Sequence, residues 1–220
     1  MRPSLSPQQW IIFIAALLLI FVVIQVELIK FAADKLGLPS QGMVFLLFTS
    51  LLGSMLNIPL FRIRSNFNPD TLPDIIKQAV GDRTFIPGYT QIAINFGGAV
   101  IPIGFCGFLL VQQPLPLVAL LLAITLTCVV SYLLSRPVAH IGIGMPILVA
   151  PITAALAAII LAPQQSAPVA YISGTLGVLI GADFLRLKDI RQLSVPIASI
   201  GGAGTFDGIF ITGLIAVLLT

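Results

Sequence analysis

The chain has 220 residues, of which 58% are apolar and 9% charged, with a mean hydropathy of +1.09. A soluble domain carries about 25% charged residues, so the composition excludes a cytosolic enzyme, a nucleic-acid binder and a disordered chain, and it describes an integral membrane protein. The formal charge of +3, from 11 Lys and Arg against 8 Asp and Glu, is too small to name a partner and acts through the loops that hold it.

A membrane helix needs about 20 mainly apolar residues to cross about 30 Å of hydrocarbon. Seven stretches qualify: Trp10 to Ile29, Gly42 to Phe61, Ile86 to Val111, Leu115 to Leu134, Met145 to Leu161, Pro168 to Leu187 and Val195 to Leu219. A signal peptide competes for the first, but Arg2 is its one base, no clean small-residue cleavage site follows and the run is long, so it reads as a retained helix. Gln25 and Glu27 fall near its outer, interfacial end. The predicted fold class is all-α, a polytopic membrane protein with one transmembrane domain over residues 1–220.

Basic residues are retained on the cytoplasmic side. With seven spans, nine of the 11 bases share the side of the N-terminus and loops 2, 4 and 6, and two, Lys30 and Lys35, lie opposite. The expected topology is therefore N-terminus in and C-terminus out, in a prokaryotic inner (cytoplasmic) membrane. Cytoplasmic loop 62–85 is the one sizeable extramembrane element; Asp74 with Ile75, Ile76 and Ala79 predicts a short interfacial helix there. Cys106 and Cys128 sit in apolar runs as small hydrophobes, and His140 has no partner at metal-ligand spacing. No metal site and no cofactor are expected.

Two pairs of segments match in order. Residues 52–64 align without gaps on 176–188, and 95–104 align on 199–208. They predict a parallel 3+1+3 repeat, with repeat A over about 10–111, a linker helix over 115–134 and repeat B over about 145–219. The count looks like that of the small sugar transporters called SWEETs, an architectural analogy without a shared motif.

The repeat predicts interruptions of helices 3 and 7. Gly97, Gly98, Pro102 and Gly104 fall in one, and Gly201, Gly202, Gly204 and Gly208 in the other. A helix-interior glycine costs about 1 kcal/mol and a proline about 3 kcal/mol, and paired interruptions in two halves point to a central binding site. The plainer reading is close helix packing, which suits Gly174, Gly177 and Gly181 better, since they share one face without a proline.

Besides Glu27 at the outer end of the first span, two acids, Asp183 and Asp207, lie within spans, where a carboxylate costs about 2.5 to 3.5 kcal/mol at the bilayer centre. Counted along an unbroken helix, Asp207 falls about 18 Å deep, near the midplane, where it could also cap a half-helix starting at Gly208. Asp183 lies nearer the cytoplasmic end, with Arg186 three residues on as a candidate ion-pair partner. Gln91, Asn57, Asn95, Ser199 and Thr205 complete the polar candidates, Asn95 and Ser199 being repeat equivalents.

Over Asn95 to Pro102, Val169 to Gly177, Ile180 to Asp183 and Ser199 to Phe210 the chain resembles a prokaryotic membrane-protein family known as a domain of unknown function. The resemblance runs from about Leu46 to the C-terminus and implies no activity and no functional residue. Three functions fit the residues. The first is a small-solute or ion-coupled transporter with a midplane site of Asn95, Asp207, Thr205, Ser199, Asp183 and Asn57. The second is an intramembrane aspartyl protease with Asp183 and Asp207 as catalytic residues. Its Gly-rich approach to Asp207 is faintly similar to the Gly-x-Gly-Asp pattern of the presenilin family, with two extra residues before the acid, no tyrosine before Asp183 and no Pro-Ala-Leu after. The third is a structural or assembly subunit, built from helix packing alone. The expected partners are the lipid bilayer, a small solute or ion and further copies in a homo-oligomer, with no nucleic acid.

The charge distribution makes the orientation testable. A fluorescent reporter inserted after Arg136 should light up in the cytoplasm, and an export-dependent phosphatase inserted after Gln113 should be active. The reverse pattern would overturn the assignment.

Overall fold

The computed structural model describes residues 7–68, 86–138, 142–193, 195–202 and 208–220. Among them are seven α-helices and five strands: α1 (Pro7–Lys35), α2 (Ser40–Gly53), β1 (Asn57–Arg64), β2 (Tyr89–Asn95), α3 (Ile101–Gln112), α4 (Leu117–Leu134), β3 (Arg136–Val138), β4 (Gly142–Gly144), α5 (Val149–Leu161), α6 (Ser166–Val178), β5 (Ile197–Ile200) and α7 (Gly208–Leu219). Single π-helical turns lead from β2 into α3 (Phe96–Val100) and extend α6 (Leu179–Phe184). Three stretches, Phe13–Lys35, Leu117–Leu134 and Pro163–Phe184, are long and apolar enough to cross a membrane. Such helices mark a membrane protein.

α6 is the axis of the bundle. It touches α3, α4, α5 and α7, and nearly every one of its residues is buried, as expected for a helix with no polar face. Small residues set how closely its neighbours approach. A Cβ at Gly177 would stand 2.6 Å from Thr127 Cβ, one at Gly181 would overlap the Cys128 carbonyl oxygen, and one at Gly174 would stand 3.3 Å from Thr212 Cγ2. α1 is the opposite case: from Phe13 to Val26 its large apolar side chains are all exposed, and it meets the bundle through the buried Ala32, Ala33 and Leu36.

Two apolar clusters stack along the bundle. One joins Leu36, Met43, Phe105, Leu109, Val169, Ala170, Tyr171, Ala216 and Val217; the other joins Ile92, Ala99, Val178, Leu179, Ala182, Ile200 and Ile209. At the first end, Gln113 Nε2 donates to Leu36 O (3.0 Å) and Gln165 Nε2 to Pro114 O (2.9 Å), so the connections after α1, α3 and α5 meet. At the second, Asn66 N donates to Arg191 O (3.1 Å) and Arg186 Nη2 to Ser135 O (3.0 Å). Arg62, Arg64, Arg136, Arg186, Lys188 and Arg191 belong to the connections that meet at this second end.

Three predicted spans are corrected. Gly42 to Phe61, Ile86 to Val111 and Val195 to Leu219 are not unbroken helices, because Asn57–Arg64, Tyr89–Asn95 and Ile197–Ile200 are strands of one sheet in the order β1-β2-β5. Loop 62–85 correspondingly begins as strand, with Arg62 and Arg64 inside β1. An apolar run of this length has no periodicity that separates strand from buried helix, and the β-branched and aromatic residues here take the pleated option. β1 runs antiparallel to β2, and β5 runs parallel to it. A bulge at Leu60 shifts the alternation by one, so that Ile58, Phe61 and Ile63 share a face with Ile92 and Ile94, while Asn57, Arg62 and Arg64 share the other with Gln91 and Asn95. The predicted equivalence of 52–64 with 176–188 pairs a helix end and strand with a helix and π turn. In the other pair, Asn95 and Ser199 lie on the adjacent parallel strands β2 and β5, while Gly97 and Gly98 fall in a π turn and Gly201 and Gly202 end β5 with positive φ. The interfacial helix expected over 71–79 and His140 lie outside the described residues.

The contacts of α6 predict how it tolerates side chains. Gly177→Val should lower stability by about 1–3 kcal/mol through overpacking, read as a lower thermal midpoint in detergent. Gly107→Ala on α3, where a Cβ meets nothing within 4 Å, should be neutral or slightly stabilising.

Candidate functional site

At the second end the backbones of α2, the β2–α3 junction and β5 come together with no side chain between them. A Cβ at Gly97 would overlap Ser50 O and Ser54 N, and one at Gly98 would overlap Gly201 O. Gly201 (φ 82°) and Gly202 (φ 92°) take the left-handed conformation that ends β5, which L side chains adopt at a cost.

Asn95 closes this junction. It is fully buried, its Nδ2 donates to Ser54 O (2.6 Å) and Asn57 Oδ1 (3.1 Å), and its Oδ1 accepts from Gly98 N (2.7 Å), capping the π turn. Ser199 Oγ donates to the same Asn57 oxygen at 2.5 Å, and Ser50 Oγ to Gly97 O at 2.6 Å. Asn57, Asn95 and Ser199, three of the candidate site residues, are thus brought together in a hydrogen-bonded clamp in which both amide hydrogens of Asn95 are spent on the protein. The predicted helix break is also relocated. Pro102 falls in the first turn of α3, where its missing N–H costs nothing, and Gly104 lies within the same unbroken helix, so neither interrupts it. The change of direction occurs before them, at Asn95 to Gly98.

Asp183 sits half-buried in the π turn that extends α6, a local irregularity that recurs at functional sites. The expected ion pair between Asp183 and Arg186 is not formed. Arg186 Nη1 pairs with Asp189 Oδ2 (2.9 Å), Nη2 donates to Tyr132 O (2.6 Å), and the guanidinium stacks over the Tyr132 ring at 4.3 Å. The Tyr132 and Ser135 carbonyls are among the unsatisfied last ones of α4, so Arg186 caps that helix.

Gly204, Thr205 and Asp207 lie outside the described residues; Gly208 is the first residue of α7. The level of Gly208 follows from packing. Gly174 lies against Thr212 and Gly213, and Gly213 against Tyr171 and Thr175; Val169 and Ala170 share the first apolar cluster with Ala216 and Val217, and Val178 shares the second with Ile209. α6 and α7 are therefore antiparallel, with Gly208 level with Val178 or Leu179. Asp183 lies four to five residues further, about 6–7 Å along the axis at 1.5 Å per residue.

Sequence reasoning missed Ser50 and Ser54, which supply the partners of the clamp, and Tyr171. The Tyr171 and Thr175 hydroxyls are buried with no hydrogen-bond partner among the described residues. Their signal, a tyrosine and threonine four apart in the least lipid-exposed helix, needs the burial of α6 to be seen. Cys106 and Cys128 are free, and no metal-binding cluster occurs among the described residues.

A family model described as "Protein of unknown function (DUF1614)" matches residues 51–219, about three quarters of the chain. The chain belongs to the DUF1614 family. The match spans every described element from the end of α2 to α7, including Ser54, Asn57, Asn95 and Ser199 of the clamp, both π turns and both acids in the sequence, whereas α1 and most of α2, with Ser50, lie outside it. No curated protein and no solved structure matches the chain.

The saturated clamp makes a prediction for Asn95. Asn95→Ala strands Ser54 O and Gly98 N and should cost about 2–4 kcal/mol. Asn95→Asp should do as badly, because its carboxylate would face the two oxygens that the amide now bonds. Thermal unfolding of the purified variants checks both.

Proposed function

We propose that this DUF1614 protein is an intramembrane aspartyl protease whose paired carboxylates are Asp183 and Asp207. The observation that carries the reading is the start of α7 at Gly208 in an antiparallel pair with α6. Along an unbroken seventh helix the two acids would lie on different levels, Asp207 near the midplane. With Ile197 to Ile200 taken up in the sheet and the helix beginning at Gly208, the residue that follows Asp207 in sequence is level with Val178 or Leu179, four to five residues from Asp183 along α6. The reading requires Asp207, next to Gly208 in sequence, to approach Asp183 closely enough for the two carboxyl groups to share a proton.

Two carboxylates at that spacing share one proton, since both cannot ionise close together. The ionised member takes a proton from water as its oxygen adds to the peptide carbonyl, and the protonated member gives its proton to the carbonyl oxygen. The tetrahedral adduct then collapses, its C–N bond breaks, and the amine leaves with a proton returned through the pair. Water enters as a reactant and the carboxylates end as they began. Asn95, a candidate ligand of the transporter reading, is buried with both amide hydrogens bonded to the protein.

We also infer seven crossings, with the connections after α1, α3 and α5 on one side of the bilayer and the basic ones on the other. The two groups of loop hydrogen bonds support it. The parallel pairing of β2 with β5, each followed in sequence by Gly-Gly, supports an internal repeat at residues 95–104 and 199–208.

Proteoliposomes carrying the full chain test the proposal. A photoreactive peptide bearing a hydroxyethylene isostere, which mimics the tetrahedral adduct, should label the wild type and label Asp183→Asn and Asp207→Asn at least about 100-fold less. Labelling that survives either substitution would overturn the assignment.

A further inference from the structure

β1 carries two arginines out of an apolar stretch. α2 has 14 residues, about 21 Å at 1.5 Å per residue, short of the roughly 30 Å hydrocarbon core. The chain then continues with Met55, Leu56, Ile58, Leu60 and Phe61 all exposed. At about 3.3 Å per strand residue this stretch reaches the headgroup layer, and Arg62 and Arg64 follow, both exposed.

The first arginine is held in place. Gln91 Nε2 donates to Phe61 O and to Ile92 O, both at 2.9 Å, which fixes the amide, and Gln91 Oε1 accepts from Arg62 Nε at 3.1 Å. That contact uses Nε–H and leaves the two terminal nitrogens, the part of the fork that matches a phosphate, unbonded among the described residues. Arg64 shares the same sheet face opposite Tyr89, an aromatic of the kind that settles at the interface. The ion pairs among the described residues are Lys30–Glu27 and Arg186–Asp189, so no described acid neutralises either arginine. Lys188 and Arg191 add charge at the same end.

An oriented guanidinium that no described acid neutralises, directly after a lipid-exposed apolar stretch, is complementary to a phosphate. We propose that Arg62 and Arg64 form a docking site for the phosphate of an anionic phospholipid, with Met55 to Phe61 against its acyl chains. The site is independent of proteolysis and uses neither aspartate.

Native mass spectrometry of the full chain, released from detergent with mixed phosphatidylglycerol and phosphatidylcholine, tests it. The wild type should retain phosphatidylglycerol preferentially, and the double variant Arg62→Gln with Arg64→Gln should lose about tenfold to thirtyfold in retention. Arg136→Gln, at an exposed base of the same end outside this sheet, should leave retention unchanged. Gln91→Leu keeps both charges but frees Arg62, and should cost about threefold. Equal retention by the double variant, or an equal loss in Arg136→Gln, would overturn the site; unchanged retention in Gln91→Leu would overturn the held geometry. Displacement of the lipid by millimolar inorganic phosphate would show that free phosphate, not lipid, is the ligand.

Discussion

The closest constraint in this protein is the contact of three backbones at Gly97, Gly98 and Gly201, locked by the side chain of Asn95. In hydrocarbon no water is available to satisfy a freed peptide group, so a chain that leaves helix for strand must find partners inside the protein. Asn95 supplies them: it bonds the carbonyl that ends α2 and caps the π turn that begins α3, and through Asn57 it reaches Ser199 on β5. The glycines are required because any side chain there would occupy another backbone. The sheet and the start of α3 depend on this junction.

A second consequence follows along α6. Its glycines draw α4 and α7 against it, and the resulting register sets where α7 begins relative to the π turn that holds Asp183. Arg186, which might have neutralised that acid, is committed instead to Asp189 and the last carbonyls of α4. The acidic candidate is thereby separated from the structural ion pair beside it in sequence. The clamp and the π turn that holds Asp183 lie at the same end of the bundle.

Much of the outline was legible in the residues. Apolar runs located seven helical regions, because burying or lipidating a helix requires a long stretch without charge. The small-residue face of Gly174, Gly177 and Gly181 was readable as packing, since its spacing matches a helix turn and no proline interrupts it. The conformation of Asn57 to Phe61, Tyr89 to Asn95 and Val195 to Ile200 was not, because a fully apolar run carries no alternation. The bulge at Leu60 further hides the two-residue period of β1 from a simple count. Asn95, Asn57 and Ser199 were recognised as neighbours of one centre, but whether their hydrogen bonds pointed inward or toward a ligand depended on Ser54 and Gly98.

What the sequence determined by itself was residence and charge: a chain with 9% charged residues belongs in lipid, and its bases mark particular loops, since both follow from transfer energies that act residue by residue. The family match, too, is a property of residue order. What only the tertiary structure decided was which polar groups are already satisfied and which residues share a level, because hydrogen bonds and helix register join positions far apart in the chain. Asn95 passed from candidate ligand to clamp for that reason, and Gly208 moved from the middle of a presumed span to the beginning of a helix.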